Sequence, residues 1–371
     1  MKAQIFIIRH SFVTNSYYLK LTDGLMHNIT MQLLWLIFCL PILVYLPAAG
    51  AQPAAKIAAA APVATVVDID LATAYAADNF QTRNIQQFAD DVRTASEGRV
   101  NIRVHSGGRL LKPSEIFAGV RNGKAEAGEV IMSSLEKEEL LFGMDSLPFI
   151  VSGYEDARRM WAAARPAVEK TMDTRGLMVL YAVPWPPQNL YSAEQVDTIR
   201  DFSGRTMRVY NPTTERIAEL VGARAVSVQV VDLSKAIAAK RVELMLTSSW
   251  TGVDTKAWRT LNYYYKVNAW LPKNMVFIRK DVFSRLTVAD RKILRDAAKV
   301  AEARGWQMSQ DSDLGYEKQL AANHVKVLGM DFMIRSYLDR VGETVAREWL
   351  KKAGTTELQV LLKYTTERSL K

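Results

Sequence analysis

The stretch GRTMRVYNP, residues 204–212, predicts a strand that runs directly into a helix. Strand alternation gives it two faces, a polar one with Thr206, Arg208 and Tyr210 and an apolar one with Met207 and Val209. Asn211 is a favoured N-cap residue, and Pro212 suits the first helical position. Arg208 is therefore expected near the carboxyl end of a strand, just before a helix N-terminus.

That position suggests a chemistry for Arg208. Open α/β sheets bind ligands at the carboxyl ends of their strands. A guanidinium matches a carboxylate through two parallel hydrogen bonds, and the free N–H groups of the following helix add positive potential. Two interpretations are open from the local chemistry: Arg208 binds a ligand carboxylate, or it pairs with an acidic residue of a neighbouring loop.

Strands and helices alternate on both sides of this stretch. The predicted strands lie at residues 68–75, 100–104, 125–132, 177–183, 205–210, 242–246 and 275–278, with another short strand beginning at Val228. The predicted helices lie at residues 83–95, 115–122, 154–172 and 233–239, with one starting at Pro212 and one unusually long helix from residue 287 to about residue 323. This alternation predicts an α/β fold whose parallel-rich sheets carry helices on both faces.

The composition excludes several classes of function. The 371 residues carry 48 Lys and Arg against 39 Asp and Glu, a net charge of +9, but the basic residues are scattered and form no stripe that would bind nucleic acid. One cysteine and four histidines are too few for a disulfide scaffold, a zinc ribbon or an iron–sulfur protein. The P-loop, G-x-S-x-G, H-E-x-x-H and G-x-G-x-x-G motifs are absent from the sequence. We therefore expect a binding protein, not an enzyme.

The N-terminal segment predicts export. Residues 33–48 form an apolar run interrupted by two prolines, and three small residues ending at Ala51 follow it. This is the pattern of a secretory signal peptide cut after Ala51. We expect residues 1–51 to be the signal peptide, residues 52–66 to be a flexible Ala/Pro leader, and the rest of the chain to be periplasmic.

The region from about Thr73 to Ser309 resembles the solute-binding proteins of TRAP transporters, the DctP-like family. The matching segments, in chain order, are the helix at 85–92 with Glu97-Gly98-Arg99 after it, Leu147-Pro148-Phe149, the stretch 204–212, Val221-Gly222-Ala223, the strand at 242–248, and residues 269–274 (AWLPKN). The resemblance implies a two-lobed periplasmic-binding-protein-like fold with a hinge and with the long helix bracing both lobes.

The same resemblance implies limits for the two lobes. Lobe I is expected to comprise residues 67–184 and about 275–315, and lobe II residues 185–274 and about 316–371. The chain is expected to cross between the lobes near Pro184 and again near Lys273.

The resemblance also implies which residues bind the ligand. The family's signature arginine, which grips the ligand carboxylate, corresponds to Arg208. Thr247 and Ser248 stand where the family has a ligand-contacting asparagine, and Gln188 or Asn189 is expected to add a hydrogen bond. The second arginine of sialic-acid binders is absent ahead of the signature strand. The expected ligand is therefore a small carboxylate, either a 2-oxo or 2-hydroxy acid or a dicarboxylate.

Six further residues complete the expected site. Three lie at or beside the matched loops, as aromatic walls of the site or as ordinary core residues: Trp185, Trp250 and Trp270. Three are expected to line the cleft from the other lobe: Glu129, Asn79 and Phe80. Glu129 either orients Arg208, holds the ligand together with a cation, or is a plain exposed carboxylate.

The expected function is that of the solute receptor of a TRAP-type transporter, which captures a small organic acid and delivers it to membrane subunits. The alternatives are a binding component of another uptake or sensing system and an exported enzyme. No cofactor, no metal ligands and no nucleic-acid partner are expected, and a sodium or calcium ion accompanying the ligand is left open.

Overall fold

The computed structural model describes residues 66–369, which fold around two β-sheets. The strands are β1 Val67–Ala72, β2 Val100–His105, β3 Ala127–Ile131, β4 Leu177–Pro184, β5 Asn189–Ser192, β6 Thr206–Val209, β7 Arg224–Ser227, β8 Leu244–Thr247, β9 Tyr263–Lys266, β10 Lys273–Arg279 and β11 Lys326–Gly329. The predicted signal peptide and all but the last residue of the predicted leader lie outside the described residues.

Ten α-helices connect and cover these strands within the described part of the chain. They are α1 Phe80–Ala95, α2 Ile116–Arg121, α3 Tyr154–Asp173, α4 Pro212–Leu220, α5 Val230–Ala238, α6 Ser249–Asp254, α7 Lys280–Arg285, α8 Val288–Ala322, α9 Phe332–Leu350 and α10 Thr355–Ser369. Short 3₁₀ turns lie at Pro113–Glu115, Met132–Leu135, Leu140–Ser146, Ile199–Phe202 and Ala257–Arg259. Between residues 66 and 369, no helix combines the length and apolar character that a bilayer crossing requires.

The two sheets define two lobes, which confirms the two-lobed α/β fold. The first sheet, in lobe I, has the order β2-β1-β3-β10-β4, and the second, in lobe II, has the order β11-β9-β5-β8-β6-β7. The chain leaves the first sheet at Pro184, enters the second at Asn189, and returns between Lys266 and Lys273. Pairing is parallel except at β5 and β10, which are antiparallel to both neighbours. These two antiparallel strands are the first ones formed after these two crossings; the chain passes to lobe II once more through α8, which leads to β11.

Helix α8 is a single helix of 35 residues that contacts both lobes. Its N-terminal half packs on α1 and β4 through apolar residues such as Leu294 and Ala298, which are almost fully buried. Its C-terminal half contacts lobe II through Leu320, which is fully buried in the core of that lobe, and through polar pairs. Ser249 donates to Asp313 Oδ1 across 2.5 Å, and Lys266 pairs with Glu317 at 2.5 Å. The helix is therefore attached to both lobes by apolar packing as well as by hydrogen bonds.

Three parts of the structure differ from the sequence-based expectations. The strand predicted to begin at Val228 lies earlier in the chain, as β7, which ends at Ser227. The prediction misplaced it because this short edge strand is mostly exposed and lacks an apolar pattern. Strands β5, β9 and β11, each four residues long, were not predicted. Helix α10 packs against α3 of lobe I, and Tyr364 donates to the carbonyl of Ile150, whereas the expected limits placed residues 316–371 in lobe II.

Candidate ligand-binding site

A cavity of about 220 Å³ lies between the two lobes. Its lining includes the predicted residues Arg208, Thr247 and Ser248 from lobe II, Glu129 from lobe I, and Trp185 and Gln188 from the first crossing. Six of the eleven predicted site residues therefore meet in one cavity.

Arg208 reaches this cavity from β6 for the reason the sequence indicated. Its neighbours Met207 and Val209 are buried in the core of lobe II, so alternation turns the guanidinium toward the cavity. Nε of Arg208 donates to the carbonyl of Val228 at 3.1 Å, and the guanidinium carbon lies 4.7 Å from the centre of the Tyr210 ring. No acidic side chain of residues 66–369 forms an ion pair with Arg208.

The environment of Arg208 favours an anion. Arg208 is 5% exposed, and burial lowers the pKa of its guanidinium to about 10. The side chain is therefore still positive at neutral pH, and its charge is only partly compensated by one carbonyl and one aromatic face. A carboxylate in the cavity would supply the missing counter-charge through two hydrogen bonds.

Tyr210 and Gln188 form the wall next to Arg208. The hydroxyl of Tyr210 donates to Oε1 of Gln188 at 3.3 Å, and Nε2 of Gln188 donates to the carbonyl of Pro186 at 2.9 Å. Burial raises the pKa of Tyr210 to about 12, so the phenol stays neutral near physiological pH. Gln188 is thus held in place by two internal hydrogen bonds.

Glu129 lies on the opposite side of the cavity, at the middle of β3, and is 0% exposed. Its Oε1 accepts from Nδ2 of Asn274 at 2.8 Å, and its Oε2 accepts a short hydrogen bond from the hydroxyl of Thr73. Burial raises the pKa of Glu129 to about 7, against the smaller opposing effects of these two hydrogen bonds. The structure therefore excludes the interpretation of Glu129 as a plain exposed carboxylate.

Asn274 extends this network to the aromatic wall. Its Oδ1 accepts from Nε1 of Trp185 at 2.8 Å and from the hydroxyl of Tyr75 at 3.4 Å. The rings of Tyr75 and Trp185 lie 5.0 Å apart and are tilted by 52°. One amide, held by Glu129, therefore positions two aromatic side chains that face the cavity.

Thr247 and Ser248 lie where β8 leads into α6. Both are buried, at 3% and 0% exposure. Oγ of Ser248 accepts from the backbone N–H of Thr251 at 3.1 Å and so caps α6. Ser248 therefore stabilises the start of α6, and the same position places it at the wall of the cavity.

Five predicted residues do not line the cavity. Asn79 caps α1, and the Phe80 ring packs edge-on against Trp185. The amide oxygen and nitrogen of Asn189 both form hydrogen bonds within lobe II. Its Nδ2, for example, donates to the hydroxyl of Tyr264 at 2.6 Å. Trp250 packs on Phe80 and Tyr316, and Trp270 is a fully buried core residue. Trp250 and Trp270 were expected either as aromatic walls of the site or as ordinary core residues, and the structure places both in the core.

Sequence reasoning missed Thr73, Tyr75 and Asn274 as parts of the site. Tyr75 and Asn274 lie 199 residues apart in the chain, and Thr73 and Glu129 lie 56 apart. Only the pairing of the strands brings them together. The predicted range of β1 included Thr73 and Tyr75, but no motif marks either residue. Within residues 66–369, no group of three His, Cys, Asp or Glu side chains is arranged to hold a metal ion.

Two lobes that enclose a ligand-sized cavity between them define the class of two-lobed solute receptors. The structure is similar to DctP6, a Bordetella pertussis extracytoplasmic solute receptor binding pyroglutamic acid, at 35% identity and a TM-score of 0.79, over 81% of this chain and 100% of that chain. It is equally similar to a TRAP solute-binding protein from a marine metagenome that is specific for pyroglutamate, at 35% identity and a TM-score of 0.79, over 81% of this chain and 99% of that chain. A solute-binding protein of Albidiferax ferrireducens is 20% identical over 295 residues, or 77% of this chain and 87% of the relative.

The sequence itself places the chain more narrowly. Residues 71–351 match the DctP profile, described as bacterial extracellular solute-binding protein, family 7. The chain belongs to this family of TRAP solute-binding proteins, as its sequence pattern suggested.

Proposed function

We propose that this chain is the periplasmic receptor of a TRAP transporter for a small cyclic acid of the pyroglutamate type, and that Arg208 binds the ligand carboxylate. The observation that carries the proposal is the position of Arg208, buried in the cavity between the lobes without an acidic partner among residues 66–369. A buried charge of this kind is costly unless something pairs with it.

The size and walls of the cavity support a compact ligand. Its volume of about 220 Å³ is below the ~300–1,000 Å³ of pockets for drug-sized ligands. The rings of Tyr75, Trp185 and Tyr210 supply flat apolar surface on which a small ring can pack. Two relatives at 35% identity are described as binding pyroglutamate.

Ligand capture is proposed to close the cleft. Arg208 lies on β6 in lobe II, and Glu129 lies on β3 in lobe I. A ligand that contacts both side chains makes its full set of bonds only when the lobes are closed, and it therefore shifts the equilibrium toward the closed form. The closed receptor would then be recognised by the membrane subunits, which take up the ligand.

Calorimetry on the mature protein tests ligand binding. We expect pyroglutamate to bind the wild type and the Arg208→Ala variant to lose at least about thirtyfold in affinity, because a buried charge pair is truncated. Arg224→Ala is the matched control, since Arg224 is an exposed arginine on the adjacent β7. Unchanged affinity in Arg208→Ala would contradict the assignment. Repeating the titration without sodium and with a calcium chelator tests whether an ion accompanies the ligand.

Delivery of the ligand to the membrane subunits is tested by a separate measurement. Cells that express the receptor with its TRAP membrane subunits should take up labelled pyroglutamate, and the Arg208→Ala receptor should not support uptake. Equal uptake with and without the receptor would show that the chain does not serve these subunits.

A further inference from the structure

We propose that Glu129 is the second ligand contact and that it makes the site selective for monocarboxylates that carry an N–H or O–H donor, at the expense of dicarboxylates. This inference rests on the proposed function, in which Arg208 already holds the one carboxylate of the ligand. It narrows the expected ligand class, which included dicarboxylates.

The geometry fixes the Glu129 carboxylate as an acceptor. Each oxygen accepts one hydrogen bond from a neutral donor, Oε1 from Asn274 and Oε2 from Thr73. The hydroxyl of Thr73 in turn accepts from the backbone N–H of Tyr75 at 3.2 Å. A carboxylate oxygen has two lone pairs, so each oxygen keeps one for a further donor. The carboxylate is held in one orientation by these hydrogen bonds, and Glu129 is one of the residues that line the cavity.

The charges around Glu129 indicate what that further donor must be. No Lys, Arg or His side chain in the described part of the chain forms an ion pair with Glu129. A neutral donor on the ligand would satisfy the free lone pairs without adding charge. A second ligand carboxylate would instead place two negative charges side by side where water is excluded, which is strongly unfavourable.

Arg208 and Glu129 are the two buried charged groups of one small site, and Tyr75 lies near both of them. Burial raises the pKa of Tyr75, the negative charge of Glu129 raises it further, and the positive charge of Arg208 lowers it. Tyr75, Glu129 and Arg208 all line the one cavity of about 220 Å³. A ligand small enough for this cavity can therefore place its carboxylate toward Arg208 and a donor toward Glu129. The ring amide of pyroglutamate has such an N–H group.

A pair of ligands that differ in one atom tests the inference on the unmodified protein. The pair is pyroglutamate and its γ-lactone counterpart, in which a ring oxygen replaces the N–H group. We expect the wild type to prefer the lactam by about ten- to a hundredfold, the value of one hydrogen bond to a charged group. Equal affinities would overturn the inference and leave the proposed function standing. If neither ligand binds, both fail.

Variants of two glutamates sharpen the test. Glu129→Gln keeps the shape of the side chain but removes its charge, so we expect it to lose the lactam preference and to gain affinity for the dicarboxylate glutarate. Glu138→Gln removes one negative charge from the exposed rim of the same cavity and is the matched control. The inference is wrong if the control changes the preference as much as Glu129→Gln does.

The pH profile separates a ligand contact from a purely structural role. Since burial raises the pKa of Glu129 to about 7, the lactam preference should decline as the pH falls below about 7. The other titratable groups near it are Tyr75 on the β1 side and Tyr181 on β4, whose pKa values burial raises, and Arg208 across the cavity. None of these titrates between pH 5 and 8. Thr73→Val removes a hydrogen bond to the ionised form and should move the decline to higher pH. A preference independent of pH would contradict the inference.

Discussion

Nδ2 of Asn211 donates a hydrogen bond to the hydroxyl of Ser133 at 3.0 Å, which joins α4 of lobe II to the Met132–Leu135 turn of lobe I. The orientation of this amide is fixed, because its Oδ1 accepts from the backbone N–H of Thr214 at 2.8 Å and caps α4. The residue that the sequence marks as a helix cap therefore also ties the two lobes together.

Removing this bond should weaken ligand binding without unfolding the protein. We expect Ser133→Ala to reduce affinity for the ligand by about two- to tenfold, because a neutral hydrogen bond of the closed form is lost. Asn211→Ser keeps a good N-cap and should have the same effect. Calorimetry on the double variant should show no additional loss. Fully additive losses would mean that the two side chains act separately.

Glu129 should make the ligand-free protein less stable at alkaline pH. Burial raises its pKa in the folded state to about 7, above the ordinary value of 4.5 for a glutamate, so the folded state binds the proton more tightly than the unfolded state. The contribution to the free energy of unfolding is complete below about pH 4.5 and is lost as the pH rises through about 7, by about 3 kcal/mol.

Urea unfolding at pH 5 and pH 8 checks the predicted direction of this change in the free energy of unfolding. Glu129→Gln lacks the titrating group, so we expect it to gain stability relative to the wild type on going from pH 5 to pH 8. A difference between the two proteins that does not change with pH would contradict the raised pKa.

Gly305 is required where α8 crosses β4. A Cβ atom at this position would clash with the side chain of Val183 and lie 2.7 Å from Nδ2 of Asn84. We expect Gly305→Ala to lower the free energy of unfolding by about 1–3 kcal/mol. Gly315→Ala in the same helix meets no atom within 4 Å and should raise it by up to about 1 kcal/mol. Thermal or urea unfolding compares the two variants, and equal effects would exclude the packing explanation.

Lys273 and Asp145 form a buried ion pair where the chain returns to lobe I. Nζ of Lys273 lies 3.3 Å from Oδ2 of Asp145, and the two side chains are 2% and 4% exposed. We expect Lys273→Met to cost about 3–5 kcal/mol in unfolding free energy, because it leaves Asp145 buried without its cation. The exposed pair Arg93–Asp90 gives the control: Arg93→Met should cost no more than about 1 kcal/mol. A small effect of Lys273→Met would show that Asp145 is stabilised by other groups.

Sequence reasoning located Arg208 well because its signal is local. Alternation along β6, the cap at Asn211 and the proline after it are all contained within nine residues, and the structure shows each of them as expected. The α/β class could be predicted for a similar reason, since the alternating elements are long enough to show their periodicity, whereas the division into two lobes was implied by the family resemblance. The four-residue strands are too short for that.

The rest of the site depends on contacts between distant parts of the chain. Trp185 and Trp270 both lie beside crossings, yet Trp185 faces the cavity and Trp270 is fully buried in the core of lobe II. Nothing in the neighbouring residues distinguishes them, because either orientation buries an aromatic ring. Asn274 is a comparable case: its importance comes from Glu129 on a neighbouring strand, not from its own surroundings in the sequence.

The attachment of α8 at both of its ends has a consequence for how the cleft opens. Leu294 and Ala298 are buried against lobe I, and Leu320 is buried in the core of lobe II. Water can take over hydrogen bonds such as those of Asp313 and Glu317 at small net cost, but wetting these apolar side chains would forfeit their burial. Both ends of the helix should therefore stay attached when the lobes separate, so that the helix limits how far they can move apart.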